Sequence, residues 1–120
     1  MKRILVIEDE AGLRATLSRM LDLEGFEVLT AENGARGVAL AKQHLPDLVF
    51  CDLKMPELDG YGVLCAIRAE PSTAAIPLVF VTASADKPER QQGLASGAAA
   101  YLTKPFSRGE ILEAIRGALK

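Results

Sequence analysis

Glu8 and Asp9, Asp52, Thr82 and Lys104 each stand at or just past the end of an apolar run. The stretch "VFCDLKMP" (49–56) is the clearest case: Val49, Phe50 and Cys51 belong inside a protein, yet Asp52 follows at once. Acids gathered in one place repel, so without compensation their pKa values rise and stability falls. A hard divalent cation is the simplest compensation. Mg²⁺ takes oxygen ligands, keeps several waters and is held by one or two carboxylates plus phosphate oxygens. A lysine ammonium and a threonine hydroxyl beside such a cation suit an anion. These residue types together suit phosphoryl transfer, which asks mainly for positioning and charge stabilisation. In that setting the Asp52 carboxylate is the nucleophile and an acyl phosphate the product.

Such chemistry needs elements that bring the five residues together. Apolar runs at 3–8, 26–31, 47–51, 77–82 and 99–103 read as strands. The first, third and fourth are almost wholly apolar, as in a parallel sheet covered on both faces. The second alternates and reads as an edge. Helical stretches fall between them, at 11–24, 35–44, 60–69, 86–97 and 107–119. Leu13, Leu17, Met20, Leu21 and Leu23 largely follow a helical stripe in the first, which stops at Gly25. Asn33-Gly34 and Asp59-Gly60 are turns that open the second and third. Ser107 and Glu110 form a capping-box pattern for the last. The stretch 86–97 has one large apolar residue, Leu94, and two glycines, so its anchorage is weak and its local stability low.

Five β–α units in series imply an α/β fold, a doubly wound parallel sheet with helices on both faces. The five-stranded, flavodoxin-like order 2-1-3-4-5 suits the 120-residue length. Ligands then bind outside the carboxyl ends of the strands, at the switch point between strands 1 and 3. That order gathers Glu8, Asp9 and Asp52 in one pocket, with Thr82 and Lys104 on its far side.

Composition narrows the classes further. The chain is 49% hydrophobic and 25% charged with a net charge of −2, which describes one globular domain over 1–120. It carries no basic block, so direct nucleic-acid binding is not expected. "ILVI" is too short for a signal-peptide core, and nothing approaches membrane-spanning length. Cys51 and Cys65 form no C-x-x-C pair and read as reduced core residues of a cytoplasmic protein. His44, alone at a helix end, reads as a surface residue.

Taken singly, each candidate has a plainer reading. Glu8-Asp9 is a strand end or a helix N-cap pair, Asp52 a turn residue, Thr82 a β-branched strand residue, and Lys104 a surface lysine. Tyr101 is a half-buried strand aromatic. In combination, at strand ends, they favour chemistry.

In "IEDE", "CDLKMPELDG", "VTA", Tyr101 and "LTKPF" the sequence resembles the receiver domains of two-component response regulators, over essentially its whole length. The spacings carry the likeness: 30 positions from Asp52 to Thr82 and 22 from Thr82 to Lys104. The resemblance implies that Asp52 accepts phosphate from a phosphohistidine on a sensor histidine kinase or phosphotransfer protein. It implies Mg²⁺ held by Asp9 and Asp52, by Glu8 through water, and by the Lys54 backbone carbonyl. Thr82 and Lys104 would contact the phosphoryl oxygens. Thr82 moving toward the phosphate and Tyr101 turning inward would remodel the helix 4–strand 5–helix 5 surface, read by an output domain or protein. The resemblance also implies a cis Lys104-Pro105 bond, and it allows a homodimer through that same surface. Lys54 and Ser84 occupy positions that tune phosphate lifetime. The sequence departs from the commonest pattern in Glu8, where Asp is usual, and in Ala99 and Ala100, where acids are common.

Three rival classes weigh less. Dehalogenase-like phosphatases place a second acid two residues after the nucleophile; here that residue is Lys54 and no cap domain is present, so turnover of an external substrate is not expected. A degenerate receiver acting as a phosphate-independent binding module has no need of the full acid–Asp–Thr–Lys set. A flavodoxin-type cofactor binder would need a Ser/Thr/Gly-rich loop after strand 1. The sequence does not name the kinase, stimulus, output partner or phosphate lifetime.

Overall fold

A computed structural model describes residues 2–83 and 87–119 of the chain. The strands are β1 (Arg3–Ile7), β2 (Glu27–Ala31), β3 (Leu48–Asp52), β4 (Leu78–Thr82) and β5 (Ala100–Thr103). The helices are α1 (Ala11–Leu23), α2 (Gly34–His44), α3 (Gly60–Ala69), α4 (Lys87–Ala95) and α5 (Arg108–Ala118). The strands form one parallel sheet in the order β2-β1-β3-β4-β5. This is the doubly wound arrangement that the alternation of strands and helices implies, with β2 at an edge.

Side chains alternate across the sheet with the period of two that strands impose. Ile4, Val6, Phe50, Val79 and Val81 face one side and pack with Leu17 and Leu21 of α1 and Ile111 and Ile115 of α5. Leu5, Ile7, Val49, Cys51, Leu78, Phe80 and Tyr101 face the other, with Leu40 of α2 and Val63, Leu64 and Ile67 of α3. Both faces are covered, so β1, β3 and β4 are apolar on both sides and their polar residues are pushed to the strand ends.

Caps fix where the helices begin. Asn33, Asp59 and Ser107 accept backbone N–H groups of α2, α3 and α5, and Ser107 with Glu110 completes the capping box. At the end of α1, Gly25 takes φ 92°, a left-handed conformation that glycine adopts freely.

Two expectations about side chains fail. Cys65 is exposed, not core. Val63, Leu64 and Ile67 make the buried stripe of α3, and the helical turn carries position 65 to the outer face. Leu23, read as part of the apolar stripe of α1, is 74% exposed. In α4, Leu94 is 40% exposed, and among the described residues of that helix Gly93 is the buried one. His44 is half-buried, with its carbonyl accepting from Arg3 Nη1 at 3.0 Å.

Candidate functional site

Three acids meet at the carboxyl end of the sheet. The β1–β3 pairing sets Ile7 against Cys51, so the next residues, Glu8 and Asp52, leave adjacent strands side by side. One carboxylate oxygen from each of Glu8, Asp9 and Asp52 lies within 4.8 Å of the others. Glu8 and Asp52 are buried, at 3% and 7% exposure, while Asp9 is exposed at the mouth. Three hard oxygen donors so placed fit a hard divalent cation.

Lys104 closes the cluster. Its Nζ donates to Glu8 Oε1 at 2.9 Å and to Asp52 Oδ2 at 3.2 Å. The backbone beyond β5 is held for this by Lys104 N–H donating to the Thr82 carbonyl at 2.8 Å. The Lys104-Pro105 peptide is cis. Thr82 is buried and follows Val81, the register partner of Asp52, so it ends β4 next to the acid.

The electrostatics follow from burial and from these bonds. Burial pushes the Glu8 carboxyl up to about 7; the Lys104 hydrogen bond and the Glu10 amide oppose the rise, and the Asp52 charge adds to it. For Lys104, burial works against the charge, but the Glu8 bond and the Asp52 and Glu8 charges outweigh it and hold the ammonium's pKa above its ordinary value. Burial likewise raises the Cys51 thiol, with Asp52 next in effect, so Cys51 is an inert neutral residue.

The loop after β3 is built to hold Asp52 still. Leu53 and Met55 are buried on either side of Lys54 and pin the chain. Lys54 N–H donates to Asp52 Oδ1 at 3.3 Å. Gly60 N–H donates to the Leu53 carbonyl at 2.8 Å. A Cβ at Gly60 would stand 2.7 Å from the Asp52 carbonyl oxygen, so α3 starts this close only because position 60 is glycine. The Lys54 side chain points outward, its Nζ 3.8 Å from Glu89 of α4.

Tyr101 is buried beneath α4, its ring edge-on to Phe80 with centroids 6.4 Å apart. The structure thus brings Glu8, Asp9, Asp52, Lys104 and Thr82 to one end of the sheet and sets Tyr101 two strands away from Asp52. Ser84 lies outside the described residues. The sequence reading passed over Glu10. It, rather than Glu8 or Asp9, caps α1, its carboxylate accepting from Gly12 and Leu13 N–H at 2.9 and 3.0 Å. That leaves both preceding acids for the cluster, and "IEDE" holds the signal in its third acid.

Comparison with known proteins agrees with this geometry. Residues 4–116 match the model of the response regulator receiver domain. The chain is 40% identical over 120 residues to the DNA-binding dual master transcriptional regulator RpaA of Synechocystis sp., covering 100% of this chain and 50% of that protein. It is 39% identical over 119 residues to protein PilH of Pseudomonas aeruginosa, covering 99% of this chain and 98% of that protein. It superposes on chemotaxis protein CheY4 of Vibrio cholerae with a TM-score of 0.92 at 28% identity, covering 99% of each chain. The chain spans about half the length of the transcriptional regulators that it matches. It belongs to the response regulator receiver domain family, the phosphorylation-dependent signalling modules of two-component systems.

Proposed function

We propose that residues 1–120 form a single receiver unit in which Asp52 accepts a phosphoryl group from a phosphohistidine on a sensor histidine kinase or phosphotransfer protein. The observation that carries this reading is Lys104 reaching both Glu8 and Asp52 across a cluster of three acids. In the transfer the phosphorus–nitrogen bond of the donor breaks and a bond from an Asp52 carboxylate oxygen forms, giving an acyl phosphate. Glu8, Asp9, Asp52 and the Lys54 carbonyl would hold Mg²⁺, which when bound neutralises phosphoryl charge. Lys104 supplies a second positive charge on the other side, and the Thr82 hydroxyl a donor at the end of the neighbouring strand. Burial of Glu8 and Asp52 keeps these interactions strong.

Phosphorylation would be relayed by Thr82 and Tyr101 to the α4–β5–α5 surface, where an output domain, a separate protein or a second copy would dock. The module promotes its own phosphorylation and dephosphorylation and turns over no external substrate. The module itself makes no direct contact with nucleic acid, although RpaA, half of which it matches, is a DNA-binding regulator. Among the described residues no helix is long and apolar enough to cross a membrane. The reading places the module in the cytoplasm, where its two thiols stay reduced.

The test is the intact mass after incubation with acetyl phosphate and Mg²⁺. One phosphate adduct on the wild type, absent from Asp52→Asn and absent without metal, is the expected result. An equal adduct on Asp52→Asn would remove Asp52 from the role. If acetyl phosphate gives none, a beryllofluoride titration with Mg²⁺ follows; silence there as well would favour a phosphate-independent binding module.

A further inference from the structure

The helix over β5 is anchored in an unusual way. The exposed residues of α4 include Pro88, Arg90, Gln91, Gln92, Leu94 and Ala95, and Glu89 is half-buried. Gly93 is buried. A helix docked on a sheet ordinarily does so through a stripe of large apolar side chains. Here, among the described residues of α4, the one turned to the core has no side chain.

What fills the space is the ring of Tyr101. A Cβ at position 93 would stand 2.9 Å from Tyr101 Cδ2, 3.2 Å from its Cε2 and 3.3 Å from Phe80 Cδ2. The first of these is closer than real Cβ contacts allow, so something would have to shift. Phe80 packs edge-on against the ring and borders the same gap, which restricts how far the ring can give. Phe80 is itself backed by Tyr61, with ring centroids 5.4 Å apart. Arg90, one turn before Gly93 on α4, holds its guanidinium 5.9 Å from the Tyr101 ring centroid. The ring is clasped between a gap in the helix, a wall of Phe80 and a cation.

We infer that Gly93 is the positioning residue that makes the burial of Tyr101 and the docking of α4 one two-state element. While position 93 has no side chain, the ring lies inward and the helix rests on it. Any larger residue there moves the ring out or lifts the helix. The signalling consequence rests on the phosphorylation reading above: the glycine weights the switch toward the inward state before phosphate arrives. The socket itself stands on the packing alone.

The measurement is ¹⁹F NMR of the full chain with 3-fluorotyrosine, in the absence of metal and phosphate. The chain has two tyrosines, so it gives two signals, and Tyr61→Phe assigns them. Gly93→Ala should shift the Tyr101 signal toward the solvent-exposed position and raise its accessibility to a soluble paramagnetic quencher. The melting temperature supplies a second readout with opposed signs. Helix propensity alone favours alanine over glycine. Gly117→Ala, in α5, where an added Cβ meets nothing within 4 Å, should hold or raise the melting temperature. Gly93→Ala should lower it. In a Tyr101→Ala background the same change should raise it, because the ring is gone.

An unmoved Tyr101 signal together with a raised melting temperature for Gly93→Ala would overturn the inference. If Gly93→Ala does not fold, recovery of folding on adding Tyr101→Ala supports the socket, and continued failure overturns it. Failure of the phosphorylation reading would appear separately, as the absence of any adduct or beryllofluoride response in the wild type.

Discussion

Lys104 Nζ lies 2.9 Å from Glu8 Oε1, joining the ends of the first and last strands across 96 residues of sequence. The same ammonium lies 3.2 Å from Asp52 Oδ2. One cation therefore compensates two buried carboxylates. Lys104→Met would leave both unpaired. Breaking a buried pair costs about 3–5 kcal/mol when a charge is stranded. Glu8 escapes part of that by taking a proton, so a loss of about 1–3 kcal/mol is expected in urea unfolding at pH 7. An unchanged midpoint would mean that Lys104 supports neither acid.

Glu8 predicts a pH dependence whose sign is fixed by its raised pKa. In the folded chain it titrates near 7, against an ordinary value of 4.5. Between those values the folded state holds a proton that the unfolded chain has released. Stability from this group therefore falls as pH rises from 4.5 toward 7 and is fully lost above that. Melting curves of the metal-free protein across this window should show the decline, and Glu8→Gln should flatten it. Parallel curves for the two proteins would contradict the assignment.

Crowding of the acids predicts a gain from removing one. Without metal, Asp52→Asn should melt a few degrees higher, the result of relief worth about 1 kcal/mol. Mg²⁺ should then stabilise the wild type more than the mutant, because binding to the folded state stabilises by mass action. A mutant that melts lower and responds equally to Mg²⁺ would mean that Lys104 alone already balances the cluster.

Lys54 separates stability from phosphate lifetime. Its side chain is 69% exposed and its pairing with Glu89 is long, at 3.8 Å. Exposed pairs contribute little, so Lys54→Ala should change stability by less than about 0.5 kcal/mol. On the proposed phosphorylation reading, its place two residues after Asp52 would govern water access and charge at the acceptor. The rate of phosphate loss from Lys54→Ala should differ from that of the wild type, and equal rates would remove Lys54 from that role.

The fold was legible because the local signals agree with one another. Apolar runs that need cover on both faces, caps at Asn33, Asp59 and Ser107, and a stop at Gly25 all point to five parallel β–α units. The cluster of Glu8, Asp9 and Asp52 was legible because strand ends converge in such a sheet. Other features depend on three-dimensional packing. The two hydrogen bonds donated by Lys104 Nζ reach residues 96 and 52 positions away in sequence. Cys65 looked apolar in sequence, yet the turn of α3 carries it outward. The weak anchorage of α4 was legible in 86–97, but not that the helix meets the Tyr101 ring at Gly93. Residue type suggests burial, and only the neighbouring elements decide it.

The central claim is that Asp52 is the phosphoryl acceptor, and borohydride trapping tests it most directly. An acyl phosphate on an aspartate is reduced to homoserine, which leaves a permanent mark at the modified position. The protein is treated with acetyl phosphate and Mg²⁺, reduced, digested and mapped by peptide mass. The account predicts homoserine at position 52 alone, dependent on Mg²⁺. Conversion at Glu8 or Asp9 instead, or a stable adduct with no conversion at position 52, would contradict it.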